Sequence, residues 1–480
     1  MRYNRGFAKT NNCIPFTDRT IQISTYLENL KFEDIPAEVV ERAKIILLHT
    51  VGAALAAKGS DVAEKANAIA LAANSGLGGP VTRWAGEGKL SAVNAALLAG
   101  TLADALDWED CSRTGHPAAG VIPVALVTAE ERHKSGKELI TAIVGAYELY
   151  QRIADSVEPD AEKRKNGWGL TSWQIFATTL AAAKVYGFDA RKIDQAIGMA
   201  IEHSTIPASY HGTTMSDFYH YEYGYRARDG VIIAKAVEKG IHNQRDMLDV
   251  DDGQGYFMAM TKEPKPELLI ENLGNTWMIM DTLLKPWPAN MWVQSALQAV
   301  VELVEKNGIK AEDISEIVVD PAVKNRMDCP EDGWTSVTHA QFSIPFVLAS
   351  WLLDPVPGAQ WYAPEKLKDS AVLALAKKVK AGASEPECPR GSFDLFRVGD
   401  FPVRNVTIRT TDGKEYTQAC SKHPGHPHNM FSVEDAAARF RVQAAPVLQG
   451  EKLEKVIETI LNVETVEDVA DLCCCLGTEA

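Results

Sequence analysis

The chain has 480 residues, enough for two or three domains and a large core, and its 46% hydrophobic and 24% charged residues exclude a disordered protein. A net charge of -15 argues against nucleic acid or an anionic membrane surface as partner, and leaves open an anionic small molecule met by locally concentrated cations. Eight cysteines show no metal-knuckle spacing, and Cys473, Cys474 and Cys475 stand in a row, a poor disulfide framework, so a cytoplasmic location is expected.

The first segment, through Phe16, lacks the apolar core of a signal peptide. The longest apolar run, Ile45 to Ala57, contains His49 and is too short to span a bilayer. Helical periodicity then dominates. Thr20–Leu30 and Glu38–Ala57 read as amphipathic helices, with Pro36 placed to open the second, and Ser60–Asn74 repeats the pattern up to Ser75-Gly76. The glycine-rich stretch Gly76–Pro80 follows no strand, which argues against a nucleotide loop.

The most informative stretch is Leu97–Val121. Small and apolar residues at helical spacing predict a buried helix to about Trp108, with Asp104, Asp107, Glu109 and Asp110 crowding its last turn. The negative end of the helix dipole and mutual repulsion both oppose carboxylates there, and such a break of local rules points to a site. Cys111, Ser112, Arg113, Thr114 and His116-Pro117 follow, so acid, cation and imidazole converge on one loop between two helices. A solvated helix end capped by Arg113, with His116 an ordinary loop histidine, is the alternative reading.

Further helices are expected at about Pro117–Ser135, Lys137–Val157, Ser172–Tyr186, Ala190–His203 and Arg226–Lys239, with no long β pattern before residue 310. Between the last two lies Pro207–Arg228, expected as a structured loop. It holds Tyr219, Tyr221, Tyr223 and Tyr225 beside His211, His220 and Glu222, a density of phenols and imidazoles suited to proton transfer at a pocket wall or, alternatively, to an aromatic packing seam.

The texture changes near Leu283. A helix from Lys285–Asn290 through about Lys306, a strand at Ile314–Val319, a helix at Phe342–Leu352 and a hairpin at Arg404–Cys420 turning at Asp412-Gly413 predict a smaller α+β unit. The tail returns to helix at Val433–Phe440 and Glu451–Leu461. His423, His426 and His428 are separated by Pro and Gly, which favours a turn over a metal site.

These residues, in this order, resemble the MmgE/PrpD family, whose members include 2-methylcitrate dehydratase, cis-aconitate decarboxylase and iminodisuccinate epimerase. The matching blocks include AALLAGTLADALDWED (95–110), GHPAAGVIPVALVTAE (115–130), GYRARDGV (224–231), LLKPWPA (283–289) and QFSIPF (341–346). The resemblance implies a mainly α protein, with a large all-α domain built from both chain ends (1–280 and 421–480) and a smaller α+β lid (281–420). It implies a homodimer that needs no metal or organic cofactor and acts on a small carboxylate by forming or quenching a carbanion next to that group.

Carried over residue by residue, Asp107 matches the first acid of the family's LDFDD-type motif, His116 its HP histidine, and Lys285 the lysine before Pro-aromatic-Pro. Lys285 would hold enolate charge, His116 would move a proton, and Asp107 would orient it. The chain departs from the pattern where Trp168-Gly169 lacks a histidine, where Tyr219 replaces a lysine, and at Cys111, Asp104 and Asn290, positions often threonine, histidine and histidine. The expected catalytic set is therefore Asp107, His116, Lys285, Tyr219 and Tyr223, with Cys111, His211, His220, Trp168 and Asn290 around the substrate.

The leading expectation is a lyase eliminating water or CO2, with an isomerase that shifts the same proton as runner-up. Two further readings stand beside these. One is a non-catalytic binding relative. The other is a Mg2+-dependent isoprenoid synthase suggested by the spacing of Asp104, Asp107, Glu109 and Asp110, which would require a second metal-binding cluster.

Overall fold

The computed structural model describes residues 18–112, 115–158, 160, 162, 173–204, 216–248, 255–387 and 402–478. Its helices are α1 (Arg19–Asn29), α2 (Ala37–Ala56), α3 (Asp61–Asn74), α4 (Ala92–Asp104), α5 (Ala118–Glu131), α6 (Gly136–Ser156), α7 (Gln174–Val185), α8 (Ala190–Glu202), α9 (Phe218–Glu238), α10 (Met291–Asn307), α11 (Ile344–Leu353), α12 (Val433–Ala444) and α13 (Gly450–Leu461), with shorter turns between. The chain is mainly α. No helix among the described residues is long and apolar enough to cross a membrane.

Local chemistry starts these helices. Ser60, Ser91 and Asp189 side chains accept the first free backbone N–H groups of α3, α4 and α8, and Ser135 with Glu138 forms a reciprocal cap at α6. Burial then decides the arrangement. Residues 45–56 of α2 and 118–130 of α5 are buried without interruption, so both run through the middle of the helical body. Helix α9 packs along α4 and α7, α6 packs along α7, and the late helices α12 and α13 return to lie on α2.

Among the described residues the strands form three small sheets. β1 (Val81–Thr82) pairs with β2 (Lys89–Leu90), and β3 (Asp110–Cys111) with β4 (Leu283–Leu284). The third has the order β6-β5-β7-β8, from β5 (Ile314–Asp320), β6 (Val379–Ala381), β7 (Arg404–Thr410) and β8 (Glu415–Cys420). β5 and β6 are parallel and the other pairs antiparallel. The β7–β8 hairpin turns at Gly413, whose φ of 82° is open to glycine without strain, and α10 covers this sheet.

Two expectations are corrected. Helix α4 stops at Asp104, and Asp107 adopts φ 50°, so the acids after Asp104 leave the helix and the dipole conflict falls on one residue only. Helix α9 begins at Phe218, not Arg226, so all four tyrosines are helical. Their alternate spacing splits them: Tyr219 and Tyr223, four apart, are buried, whereas Tyr221 and Tyr225 are half-exposed. Gly224 does not break this helix. It permits the crossing of α9 on α4, because a side chain there would overlap Thr101 Oγ1 and the Leu97 carbonyl oxygen.

Candidate active site

The β3–β4 pairing joins two stretches of chain far apart in sequence, with Asp110 opposite Leu284 and Cys111 opposite Leu283. Next to it the Lys285 N–H donates to the Glu109 carbonyl at 3.1 Å, and the Asp107 N–H closes a turn onto Asp104 O at 2.7 Å. These bonds aim the side chains of Asp107, Glu109 and Lys285 at one point. The turn is braced from outside: His49 Nε2 donates to Trp108 O at 2.7 Å and Gln341 Nε2 to Ala105 O at 3.0 Å. Burial pushes His49 down to about 3, so its ring is neutral.

Lys285 Nζ donates to Asp107 Oδ1, and to Glu109 Oε1 at 2.8 Å, and all three side chains are fully buried. Burial opposes the charge on Lys285, but the two carboxylates outweigh it and raise its pKa further above the ordinary lysine value. Burial likewise opposes ionisation of Glu109, yet Lys285 and His116 hold this carboxyl at about 2. The His116 ring has Nδ1 at 2.5 Å from Glu109 Oε1 and 2.9 Å from Asp110 O. Lys285 Nζ also stands 3.1 Å from Nδ1, but the two acceptors are closer, so we assign the proton to Nδ1 and leave Nε2 as the basic nitrogen. Nε2 lies 3.0 Å from the Tyr219 hydroxyl, which donates to it, since burial raises the Tyr219 pKa and keeps the phenol protonated. Tyr223 closes the aromatic wall, its ring 5.6 Å from His116 and 5.7 Å from Tyr219, and Phe342 packs on Tyr219 at 5.6 Å.

The expected residues thus fall into three groups. Asp107, His116, Lys285, Tyr219 and Tyr223 come together. His220 lies one step away, its Nδ1 2.6 Å from Asp104 Oδ2, both fully buried. Cys111 and Asn290 flank the site with other partners: Cys111 Sγ lies 3.1 Å from Met291 Sδ, and the Asn290 side chain caps α10 by accepting from Trp292 N at 3.4 Å. Trp168, His211 and Arg113 lie outside the described residues.

Glu109 and Asp110 are the residues that sequence reasoning left in the acidic run without a role. Glu109, not Asp107, holds the imidazole. Asp110 accepts from the Ala118 N–H at the start of α5 at 3.0 Å and from the Tyr147 hydroxyl at 2.7 Å, and burial raises it to about 7. The available signal was the crowding of acids itself, but a left-handed residue inside the run decides which one faces which partner.

Asp104, Asp107, Glu109 and His116 also turn potential metal-ligand atoms to within 4.8 Å of one another. Lys285 Nζ already bonds two of these carboxylates, so a divalent cation would have to displace an ammonium that supplies the same kind of charge. The residues fit the ammonium better than the ion. His423 and His426 are buried in a tight turn, with His426 Nδ1 accepting from the His428 N–H at 3.0 Å.

A mainly helical chain with a small mixed sheet, and a buried centre in which one lysine, two carboxylates, an imidazole and a phenol are hydrogen-bonded in series, is the class that fold and site define. Residues 21–269 match the MmgE/PrpD N-terminal domain and residues 287–465 the MmgE/PrpD C-terminal domain, and the chain belongs to the MmgE/PrpD family. It is similar to cis-aconitate decarboxylase of Homo sapiens, 23% identical over 466 residues that cover 94% of this chain and 93% of the relative. The same enzyme of Mus musculus is 24% identical, with 93% and 91% covered, and that of Aspergillus terreus is 24% identical, with 94% of each covered.

Proposed function

We propose that this protein is a cofactor-independent lyase that eliminates CO2 or water from a small carboxylic acid through an enolate-like carbanion. The observation that carries the reading is the line Asp107–Lys285–Glu109–His116–Tyr219, closed by hydrogen bonds and removed from water. Two of the three N–H bonds of Lys285 go to carboxylates; its third near neighbour, His116 Nδ1 at 3.1 Å, carries a proton in this assignment and cannot accept, so we assign the third N–H to a substrate oxygen, where charge develops as the carbon–carbon or carbon–oxygen bond breaks. In decarboxylation the electron pair of the breaking bond stays on carbon as the enolate, CO2 leaves, and carbon takes its proton from the Tyr219 hydroxyl, or from His116 Nε2 after that nitrogen has taken one up from water. In dehydration His116 Nε2 takes the proton from carbon, and the hydroxide leaves as water with the proton of the Tyr219 hydroxyl. The fixed Nδ1–H of His116 keeps Nε2 ready in either direction.

Relatives named as cis-aconitate decarboxylases support elimination of CO2 as the first reaction to test. The phenol at Tyr219 and the capping role of Asn290 support a substrate other than their tricarboxylate, since neither supplies a cation for a carboxylate. The second reading, an isomerase, draws on the direct contact of two proton carriers, His116 and Tyr219, at 3.0 Å. We further propose a cytoplasmic homodimer as the working unit.

The test is incubation in D2O with cis-aconitate and a panel of smaller carboxylic acids, followed by NMR. Loss of CO2 or water with deuterium at the reacting carbon is expected, and unchanged mass with deuterium identifies the isomerase. Exchange by His116→Gln at the wild-type rate would refute the assignment of the proton carrier.

A further inference from the structure

Behind the line of groups just described lies a second buried pair, Asp104 and His220, that the proposed chemistry does not use. It sits where α4 ends against the first turn of α9, at the close crossing that Gly224 permits. We propose that Asp104 is a neutral carboxylic acid that donates a hydrogen bond to the Glu109 carboxylate and is held from its other side by His220, so that this pair of positioning residues sets the charge and orientation of the Lys285–Glu109–His116 centre.

The geometry argues for it in two ways. The His220 Nδ1–H donates to Asp104 Oδ2 at 2.6 Å, while Asp104 Oδ1 and Glu109 Oε2, both fully buried, have no other partner. Asp107 Oδ2 is the third such oxygen of the cluster; a proton on Asp104 Oδ1 satisfies two of the three together, its own oxygen and Glu109 Oε2. Charge balance requires the same proton. The groups facing Asp104 are Asp107 and Glu109 from the following turn, Lys285 from the end of β4, and His220 from α9, with Asp217 acting on His220 from the same helix. Among the described residues, Asp107 and Glu109 already share one ammonium, that of Lys285. A third anion within 4.8 Å of these carboxylates, out of reach of water, would be repelled by both, and protonation of Asp104 removes that repulsion. Burial, with Glu109 and Asp107 behind it, drives Asp104 well above the ordinary carboxylate range, and burial holds His220 below the ordinary imidazole value. Both directions agree with a pair that carries no net charge. Glu109 can then stay ionised, accepting from Lys285 and His116 with Oε1 and from Asp104 with Oε2.

The decisive measurement is the infrared difference spectrum between the wild-type protein and Asp104→Asn at pH 8. The expected result is a protonated-carboxyl carbonyl band that the variant lacks. Asp104→Asn keeps an uncharged donor and is expected to turn over within about threefold of wild type with an unchanged pH profile, whereas Asp104→Leu, which leaves Glu109 Oε2 without a donor, loses about tenfold or more in kcat and moves the acid limb to higher pH. His220→Asn retains a side-chain N–H for Asp104, so the band and the turnover are expected to persist. No band lost in Asp104→Asn, or Asp104→Asn as damaging as Asp104→Leu, would overturn the proposal. The turnover arm rests on the proposed reaction and the infrared arm does not: a protein inactive on every acid tested that still shows the band sinks the reaction and leaves the neutral Asp104 standing.

Discussion

Replacement of Glu109 by Gln is the perturbation that probes the centre most directly. The amide has the same shape, so packing is retained, but the negative charge shared by Lys285 and His116 is gone. Hydrogen bonds to a charged group contribute roughly 1.5–3 kcal/mol and those between neutral groups roughly 0.5–1.5, so two weakened bonds remove about 2–3 kcal/mol. If that loss is felt as the proton moves and charge builds on the imidazole, turnover falls roughly 30- to 150-fold, at about 1.36 kcal/mol per factor of ten. Two assays apply: kcat by NMR on the acid identified in the panel, and the 15N shifts of the histidine rings, with His116 assigned by its absence in His116→Gln. In the wild type His116 is expected to show a protonated Nδ1 and a bare Nε2; in Glu109→Gln the preference for that tautomer weakens. Turnover within threefold of wild type together with unchanged ring shifts would refute the role given to Glu109.

Three further outcomes follow from the same geometry. Asp110 is raised from the model-peptide value of 3.8 to about 7, so between about pH 4 and pH 7 the folded protein keeps a proton that the unfolded chain has released, and stability falls as pH rises through that window by up to roughly 4 kcal/mol. Asp110→Asn lacks this loss; urea unfolding at pH 4 and pH 8 is expected to show the variant gaining on wild type, and an equal difference at both pH values would contradict it. Lys285→Met leaves Asp107 and Glu109 buried without their cation and costs about 3–5 kcal/mol, while the triple variant Lys285→Met, Asp107→Asn, Glu109→Gln recovers much of that stability in denaturant melts and stays inactive. Gly224→Ala forces a methyl group onto the Leu97 carbonyl and Thr101, costing about 1–3 kcal/mol and lowering the Tm by about 2–4 °C per kcal/mol, because backbone on α4 cannot rotate out of the way.

The sequence by itself determined the elements whose causes are local. Apolar spacing and the caps at Ser60, Ser135 and Asp189 mark α3, α6 and α8 to within a residue or two, and Asp412-Gly413 marks the β7–β8 turn. It also showed the acids of 104–110 as a strained run. Tertiary structure alone decided what those acids do, because each partner is remote in sequence: Lys285 reaches Asp107 and Glu109 through the β3–β4 pairing, and Tyr219 reaches His116 through the crossing of α9 on α4. The helical start at Phe218 was hidden for the same reason. A row of alternating tyrosines and a glycine reads as loop or strand when taken alone, and becomes helix only because α4 offers a groove close enough to need that glycine and buried enough to take Tyr219 and Tyr223.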